Sequence, residues 1–492
     1  MRKVTLLILL LCPWQTQAQV AWQKNYKVSD PAGFTVLENA ATMLQTADGG
    51  YLVGGTYTQA NEARLGYLMK IDANGDSLWT KLYTYTDRLA KLYVDNNNDL
   101  RGIFEQSASG QGTSLYFTKL DPSNGDTISS FQAPKPVGPD VYRYTSHVQL
   151  PDNSYLLTAL GNGQGGHFLR FTPGAATATW YADSMANKVM SFTDMILDGQ
   201  DAVVTGWSAV PGGPALNFLV AKYDIVTGKP VWRKIMLYLG GCCDTRGRCI
   251  VKNGQGNYIA GGEWREKVSN IIVFSPAFFV IGPNGDSLST TEPHLVGNVQ
   301  KMMKWGNYIL ATGQIENDDL APNNTNLHHT DIGLYVMQDD GHLLNTSLRF
   351  NNAVALQTSS GYVTSHWSSG GLMGNAANEV IIYGQGAHLP GGNTSPDQNT
   401  FMVKLTPSTA GIADVSGADG VEFYPNPMTN RLYVSTAGRA GIVQISNIFG
   451  QTMYREHITR KATIDTDTWP AGMYLIHFND GGSIRSSKVI KQ

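Results

Sequence analysis

"ADGGYLVGGTY" (47–57), followed after a gap by "GYLMKIDANGDSLWTKLY" (66–83), decides the fold, because the same phrase returns along the chain. It opens on a turn and runs through a short apolar stretch and a variable gap. A second apolar stretch then ends near Lys70 and Asp72, the chain turns at Asn74-Gly75, and a more polar stretch carries Trp79. A second copy pairs "NNDLRGIFEQ" (97–106) with "LYFTKLDPSNGDTISSF" (115–131), and a third pairs "PDNSYLLTAL" (151–160) with "HFLRFTPGAATATWY" (167–181). The fourth is "GQDAVVTGWS" (199–208) with "NFLVAKYDIVTGKPVWRKIM" (217–236), and the fifth "GQGNYIAGGEW" (254–264) with "AFFVIGPNGDSLS" (277–289). "WGNYILATGQ" (305–314) with "IGLYVMQDDGHLLNTSLRF" (332–350) is the sixth; "ANEVIIYGQG" (377–386) with "TFMVKLTP" (400–407) is the seventh.

Asn74-Gly75, Asn124-Gly125, Asn284-Gly285 and Asp340-Gly341 fall at equivalent places between apolar runs. Such dipeptides are the strongest short hairpin signal, and a type I′ turn with positive φ at both central residues is expected there. With the strand preceding each copy, every unit holds about four strands, at about 56 residues per copy over 19–407. That is the signature of a seven-bladed β-propeller. Six or eight blades fit the same period, and a sandwich or open β-solenoid is the plainer alternative. The seventh copy stops at Pro407 without a Trp-bearing fourth strand, whereas "AWQKNY" (21–26) is such a strand without a unit. Trp22 to Tyr26 is therefore expected to complete the last blade, pair near Phe401–Leu405 and latch the ring.

The first eighteen residues have the form of a secretory signal: Arg2 and Lys3, an apolar run from Val4 to Leu11, and Thr16-Gln17-Ala18 at the cleavage site. A lipoprotein signal would use Cys12, but Leu11 stands where such signals want a small residue. No later stretch has the roughly 20 uninterrupted apolar residues of a transmembrane span; the most apolar, 270–282, is broken by Pro276. Loss of Arg2 and Lys3 takes the formal charge from −3 to −5, which gives no electrostatic case for nucleic acid. Glycine, at 53 of 492 residues, recurs beside aromatic and β-branched runs, as tight turns between short strands require. Beyond the signal, cysteine occurs only in "GCCDTRGRC" (241–249). Cys243 or Cys242 with Cys249 would close a short disulfide loop worth roughly 2 kcal/mol. A three-thiolate metal site lacks a nearby histidine.

Residues 408–420 are small and polar, as in a linker. Beyond them "RLYVS" (431–435), "IVQISNIFG" (442–450), "MYREHI" (453–458), "MYLIHF" (473–478) and "SSKVIK" (486–491) alternate apolar and polar residues as in a small antiparallel sandwich. Three ordered motifs stand out: Pro425-Asn426-Pro427, "VQISNIFGQTMY" (443–454) with Gly450, and "WPAGMYLIHF" (469–478) with Gly472 and Tyr474, before a basic "KVIKQ" (488–492). Residues 421–492 closely resemble the C-terminal sorting domain of cargo carried by the type IX, or Por, secretion system of Gram-negative bacteria. The resemblance implies passage through the periplasm to an outer-membrane translocon that reads this domain, then cleavage with surface attachment or release.

HExxH, GxSxG and Walker-type loops are absent. "ENDDLAPNNTNLHHTD" (316–331) gathers Glu316, Asp318, Asp319, His328, His329 and Asp331, ligands for Ca²⁺ or Zn²⁺ but in no EF-hand or zinc spacing. Its plain reading is a solvated hairpin loop. Long loops at 351–376 and 385–399 make one rim the default ligand surface. Trp22, Trp79, Trp180 and Trp232 share one repeat position and are expected to pack between blades; Trp264, Trp305 and Trp367 fall elsewhere and are expected to be exposed for stacking. "GDSL" (75–78, 285–288) and "GDTI" (125–128) resemble a bacterial O-glycosylation sequon, though turn chemistry alone accounts for them. The sequence thus points to a secreted or surface-displayed propeller that binds a glycan or protein, without a cofactor beyond a Ca²⁺ option. An extracellular polysaccharide hydrolase or lyase with carboxylates at the ring centre is the rival.

Overall fold

The computed structural model describes residues 18–491 except 27–36, 59–62, 109–111, 136–142, 161–165, 182–188, 210–215, 237–243, 269–270, 292–296, 307, 317–329, 351–356, 359–360, 363–367, 376–378, 389–396, 408–421, 425–427, 437–439, 448–451, 471 and 481–483. Among them every regular element is a strand, and contacts divide these into one compact unit over Val20–Thr406 and a second holding the strands from Glu422 onward.

The larger unit is built from quartets of strands, the first and last of them joined into one eight-stranded sheet by a single parallel bridge between Leu37 and Gln398. The first is Leu37–Gln45, Tyr51–Thr58, Arg64–Ile71 and Ser77–Tyr83; the second is Arg88–Val94, Leu100–Ala108, Gly112–Leu120 and Thr127–Gln132. Arg143–Gln149, Tyr155–Leu160, Gly166–Phe171 and Trp180–Tyr181 form the third, and Val189–Asp198, Asp201–Ala209, Leu216–Asp224 and Pro230–Met236 the fourth. The fifth is Thr245–Lys252, Tyr258–Val268, Ile271–Ile281 and Ser287–Thr291, and the sixth is Lys301–Trp305, Tyr308–Glu316, Thr330–Gln338 and Leu343–Phe350. The last takes Ser368–Gly374, Val380–His388 and Asp397–Pro407 from one end of the unit and Ala18–Tyr26 from the other. A two-stranded hairpin, Gln357–Thr358 with Gly361–Tyr362, stands apart.

The first strand of each quartet touches its counterpart in the next, except that the third quartet's first strand meets the second and third strands of the second quartet. The cycle returns to its start where Ser368–Gly374 meets Leu37–Gln45, so the arrangement is propeller-like and closed. Position in this ring explains the sequence pattern. Middle strands are covered on both faces by neighbouring quartets, so Tyr51–Val53 and Tyr67–Met69 are buried in succession; outermost strands face solvent, and Leu78, Ile128, Val231 and Leu288 are exposed.

The N-terminal strand pairs with Asp397–Pro407, as its orphaned motif led us to expect. The indole of Trp22 donates to Ala73 O (3.3 Å), and Tyr26 Oη donates to Gly75 O (2.7 Å). Trp79 likewise lies against Gly125, while the indoles of Trp180 and Trp232 donate to Ile225 O (3.1 Å) and Pro283 O (3.0 Å) of the following quartet. The shared tryptophan position is thus a joint between neighbours.

Two expectations are corrected. At Asn74-Gly75 and its equivalents the glycine alone has positive φ (79° at Gly75), so the turns are not type I′. A wider loop closes instead, with Gly75 N–H donating to Asp72 O (3.1 Å) and a register shift between Lys70 and Ile71, the three-to-five-residue hairpin geometry. Trp264 is not an exposed platform: it is 7% exposed and packs edge-on against Phe279. Trp305 is partly buried against Leu310 and its neighbours, and Trp367 lies outside the described residues.

In the smaller unit Glu422–Tyr424, Arg431–Ser435 and Lys461–Asp465 form one sheet; Thr452–Ile458, Gly441–Asn447, Gly472–Asn479 and Ile484–Lys491 form another. Leu432, Val434 and Ile464 from the first share one core with Val443, Ile445, Ile476 and Phe478 from the second. Lys461–Asp465 was not foreseen, because its two inward residues, Ala462 and Ile464, are too few for a visible alternation.

Candidate functional site

A β-bulge recurs in the innermost strands: the register skips Ala41, Ala90, Thr145, Thr193, Arg248 and Gly370. Each bulge bends its strand and re-aims the side chains before it. The glycine repeated in the second strand answers this bend. A Cβ on Gly55 would stand 1.8 Å from Asn39 O, so no side chain fits there.

The next residue along that second strand pairs across to the residue ahead of the bulge: Asn39 with Thr56, Arg88 with Glu105, Arg246 with Glu263, Ser368 with Gln385. Arg143 faces Leu160 at the same place. Polar pairs therefore gather at the end of the ring where the innermost strands begin.

There a cavity of about 570 Å³ opens among the first, second, third and seventh quartets. Asn39, Thr56, Thr58, Arg64, Asp87 and Arg88 line it with Glu105, Ser107, Thr113, Arg143 and Gln385; among the described residues every lining side chain is polar or charged. Glu105 is buried, its Oε1 accepting from Tyr144 N–H (2.9 Å) and standing 3.5 Å from Arg88 Nη1. Burial pushes its carboxyl above the ordinary range, against the pull of Arg88, the Tyr144 N–H and Arg143. Asp87 Oδ2 accepts from Ser107 N–H (2.6 Å), and the Ser107 and Thr113 hydroxyls are 3.1 Å apart. Arg64 and Arg143 are exposed, and neither forms an ion pair among the described residues. The arrangement offers two available guanidinium groups, a ring of hydroxyls and amides, and two carboxylates held by backbone donors.

The residues after the bulges tie the quartets together. Asp194 accepts from Ser146 Oγ (3.1 Å) and from Ile250 N–H (3.1 Å), and Thr42 Oγ1 accepts from Leu92 N–H (2.9 Å). Burial, with repulsion from Lys301, lowers the Lys91 ammonium to about 8 against the attraction of Asp194. His147 packs against Tyr93 with ring centroids 4.4 Å apart, and burial with the Lys91 charge lowers it to about 3, so it is neutral at pH 7.

The cavity residues were not singled out in the sequence, although a signal existed: Glu105, Glu263, Gln314 and Gln385 are polar residues at one repeat position inside otherwise apolar strands. Of the acidic and histidine-rich stretch, Glu316 and Asp331 lie in paired strands, while Asp318, Asp319, His328 and His329 lie outside the described residues. No metal-binding cluster occurs among the described residues. Cys249 is buried, its thiol 3.7 Å from Gly261 O and pushed upward in pKa by burial; Cys243 lies outside the described residues. Gly472 opens a strand of the smaller unit, and buried Tyr474 donates to Pro470 O (2.7 Å); Pro425, Asn426, Pro427 and Gly450 lie outside the described residues.

Residues 422–492 match the family described as secretion system C-terminal sorting domain. No curated protein matches the sequence. Among solved structures, the chain is similar to PorZ, a surface component of the type IX secretion system of Porphyromonas gingivalis, at 11% identity over 92% of this chain and 81% of that one, TM-score 0.18. It is also similar to α-L-arabinanase of Penicillium chrysogenum complexed with arabinobiose (10% identity, 64% and 92% covered, TM-score 0.34). A third similarity is to the WD40 domain of SCAP from fission yeast (8% identity, 80% and 98% covered, TM-score 0.35). The C-terminal segment is a type IX sorting domain, which marks the chain for export to the cell surface or the medium. Among the described residues no helix is long and apolar enough to cross a membrane.

Proposed function

We propose that residues 19–407 form a seven-bladed propeller that acts outside the cell as a binding or adhesion module, with the polar cavity at one end of the ring as its ligand site. Residues 408–420 serve as the linker and 421–492 as the module read by the secretion machinery. One observation carries the binding reading: Arg64 and Arg143 are exposed in a wholly polar cavity and form no ion pair among the described residues. Exposed cationic side chains converging on a concavity, outside any ion pair among the described residues, are what a ligand site presents before its ligand arrives.

The rival is a polysaccharide hydrolase or lyase. Its support is that Asp87 and Glu105 line the same cavity and that Glu105 has the raised carboxyl of a general acid. Both carboxylates are, however, already engaged by backbone N–H groups. A glycan array combined with a reducing-sugar assay on the bound glycans separates the two readings. Retention without new reducing ends is expected, and time-dependent release of ends would sink the binding-only reading. For export, deletion of 421–492 is expected to leave a folded propeller in the periplasm; normal levels in the medium would overturn that role.

A further inference from the structure

We infer that the cavity takes an acidic glycan, a uronate-bearing oligosaccharide, and that Arg64 and Arg143 select its carboxylates; this rests on the cavity being the ligand site. The volume of about 570 Å³ lies within the range of ordinary small-molecule sites. What distinguishes this cavity is its lining. Among the described residues no aromatic or aliphatic side chain lines it, so they offer neither a face for stacking a sugar ring nor a pocket for an apolar peptide side chain. What the described lining offers a ligand is hydrogen bonds and charge. Asn39, Thr56, Ser107 and Gln385 supply both donors and acceptors, which suits a ligand rich in hydroxyl groups.

The charge has a sign. Arg88 faces Glu105 at 3.5 Å, and the Glu105 and Asp87 carboxylates already accept backbone N–H groups. That leaves the guanidinium groups of Arg64 and Arg143 facing the ligand. A guanidinium matches a carboxylate through two parallel, charge-assisted hydrogen bonds, and a neutral sugar returns no opposite charge. Burial of Glu105 reinforces the bias, since its raised carboxyl weakens the nearest negative charge.

The test uses the mature full-length protein, calorimetric titration, and two probes of equal length: oligogalacturonate and its fully methyl-esterified form, which keeps the sugar hydroxyls but exchanges each carboxylate for an uncharged methyl ester. Oligogalacturonate is expected to bind at least tenfold more tightly than the ester, and to weaken as salt rises. Arg64→Gln and Arg143→Gln should each weaken the acid at least tenfold and the ester by a clearly smaller factor. Both side chains are exposed, so unchanged melting temperatures will show that the variants fold. Equal binding of acid and ester would overturn the charge inference and leave the cavity as the site. Tight binding of the acid that neither variant weakens would place the site elsewhere and overturn both. Failure of the acid to bind while a neutral glycan binds would overturn the inference alone.

Discussion

Two seams of the ring use one sequence phrase, W-x-K-x-Y, under opposite chain connectivity. Between the first and second quartets, Trp79 lies against Gly125, Lys81 pairs with Asp126, and Tyr83 Oη donates to Gly125 O (2.7 Å). Between the last and first quartets, Trp22 lies against Gly75, Lys24 pairs with Asp76 (2.6 Å), and Tyr26 Oη donates to Gly75 O (2.7 Å). The side-chain contacts correspond one for one. What differs is that Ser77–Tyr83 continues directly from its own hairpin, whereas Ala18–Tyr26 comes from the opposite end of the chain. Ser77–Tyr83 is tied to its quartet by its own hairpin, whereas Ala18–Tyr26 joins its quartet only by pairing with Asp397–Pro407, so closure is the long-range event whose chain entropy must be offset by those contacts.

The largest expected effect is therefore removal of residues 19–26. It exposes the edge of Asp397–Pro407 and strips the Trp22 joint, and should cost at least about 5 kcal/mol or abolish cooperative unfolding. A truncated protein that melts with the intact one would show that closure lies elsewhere.

Next comes a direct comparison of the two tryptophans. Both are partly buried, Trp22 against the core of Tyr51, Tyr67 and Met402 and Trp79 against that of Leu52, Leu68 and Phe104. Trp22→Ala and Trp79→Ala should each cost about 3 kcal/mol in chemical denaturation. Only Trp22→Ala should raise hydrogen exchange in Asp397–Pro407, because only that strand depends on a non-covalent neighbour. Equal exchange in both variants would erase the distinction between the seams.

A third seam supplies an electrostatic contrast. Asp198 accepts from Lys222 (2.9 Å), Lys252 and Tyr258, joining the fourth and fifth quartets. Burial opposes its charge, but these three donors outweigh it and hold the carboxyl well below the usual range. Since the folded value lies below the unfolded one, the contribution is complete above the unfolded carboxylate range and is lost as pH falls through the folded value. Asp198→Asn should cost about 2 kcal/mol at pH 7. Its melting temperature should also fall less steeply than the parent's between pH 5 and 2; parallel slopes would remove Asp198 from the acid response.

The smallest effect belongs to the lysines of the two matched seams. Lys24 and Lys81 side chains are each 31% exposed and their partners more so, which limits either pair to about 0.5 kcal/mol. Lys24→Ala and Lys81→Ala should differ from the parent by no more than that in denaturant midpoint, and a larger loss in Lys24→Ala would make the ion pair part of the latch.

The latch is legible in the sequence because a propeller seam requires the same side chains wherever it occurs. Trp22, Lys24 and Tyr26 repeat Trp79, Lys81 and Tyr83 at identical spacing. Trp264 departs from its expected exposure for the complementary reason. It falls outside that shared position, and whether such a residue faces water depends on what packs over it, here Phe279. The turns were read from Asn-Gly pairs, whose local chemistry admits several loop lengths; the register shift beside each one chose among them.

The cavity lay further out of reach. Asn39, Arg88 and Arg143 precede bulges, and a bulge is a mismatch between two paired strands that leaves little trace in either alone. The repeat, the closing strand and the export domain can be read along the chain, because each is written in local spacing that a single segment carries. That Arg64, Glu105, Arg143 and Gln385, from four different quartets, share one concavity emerges only on folding, since closing the ring brings together residues far apart along the chain.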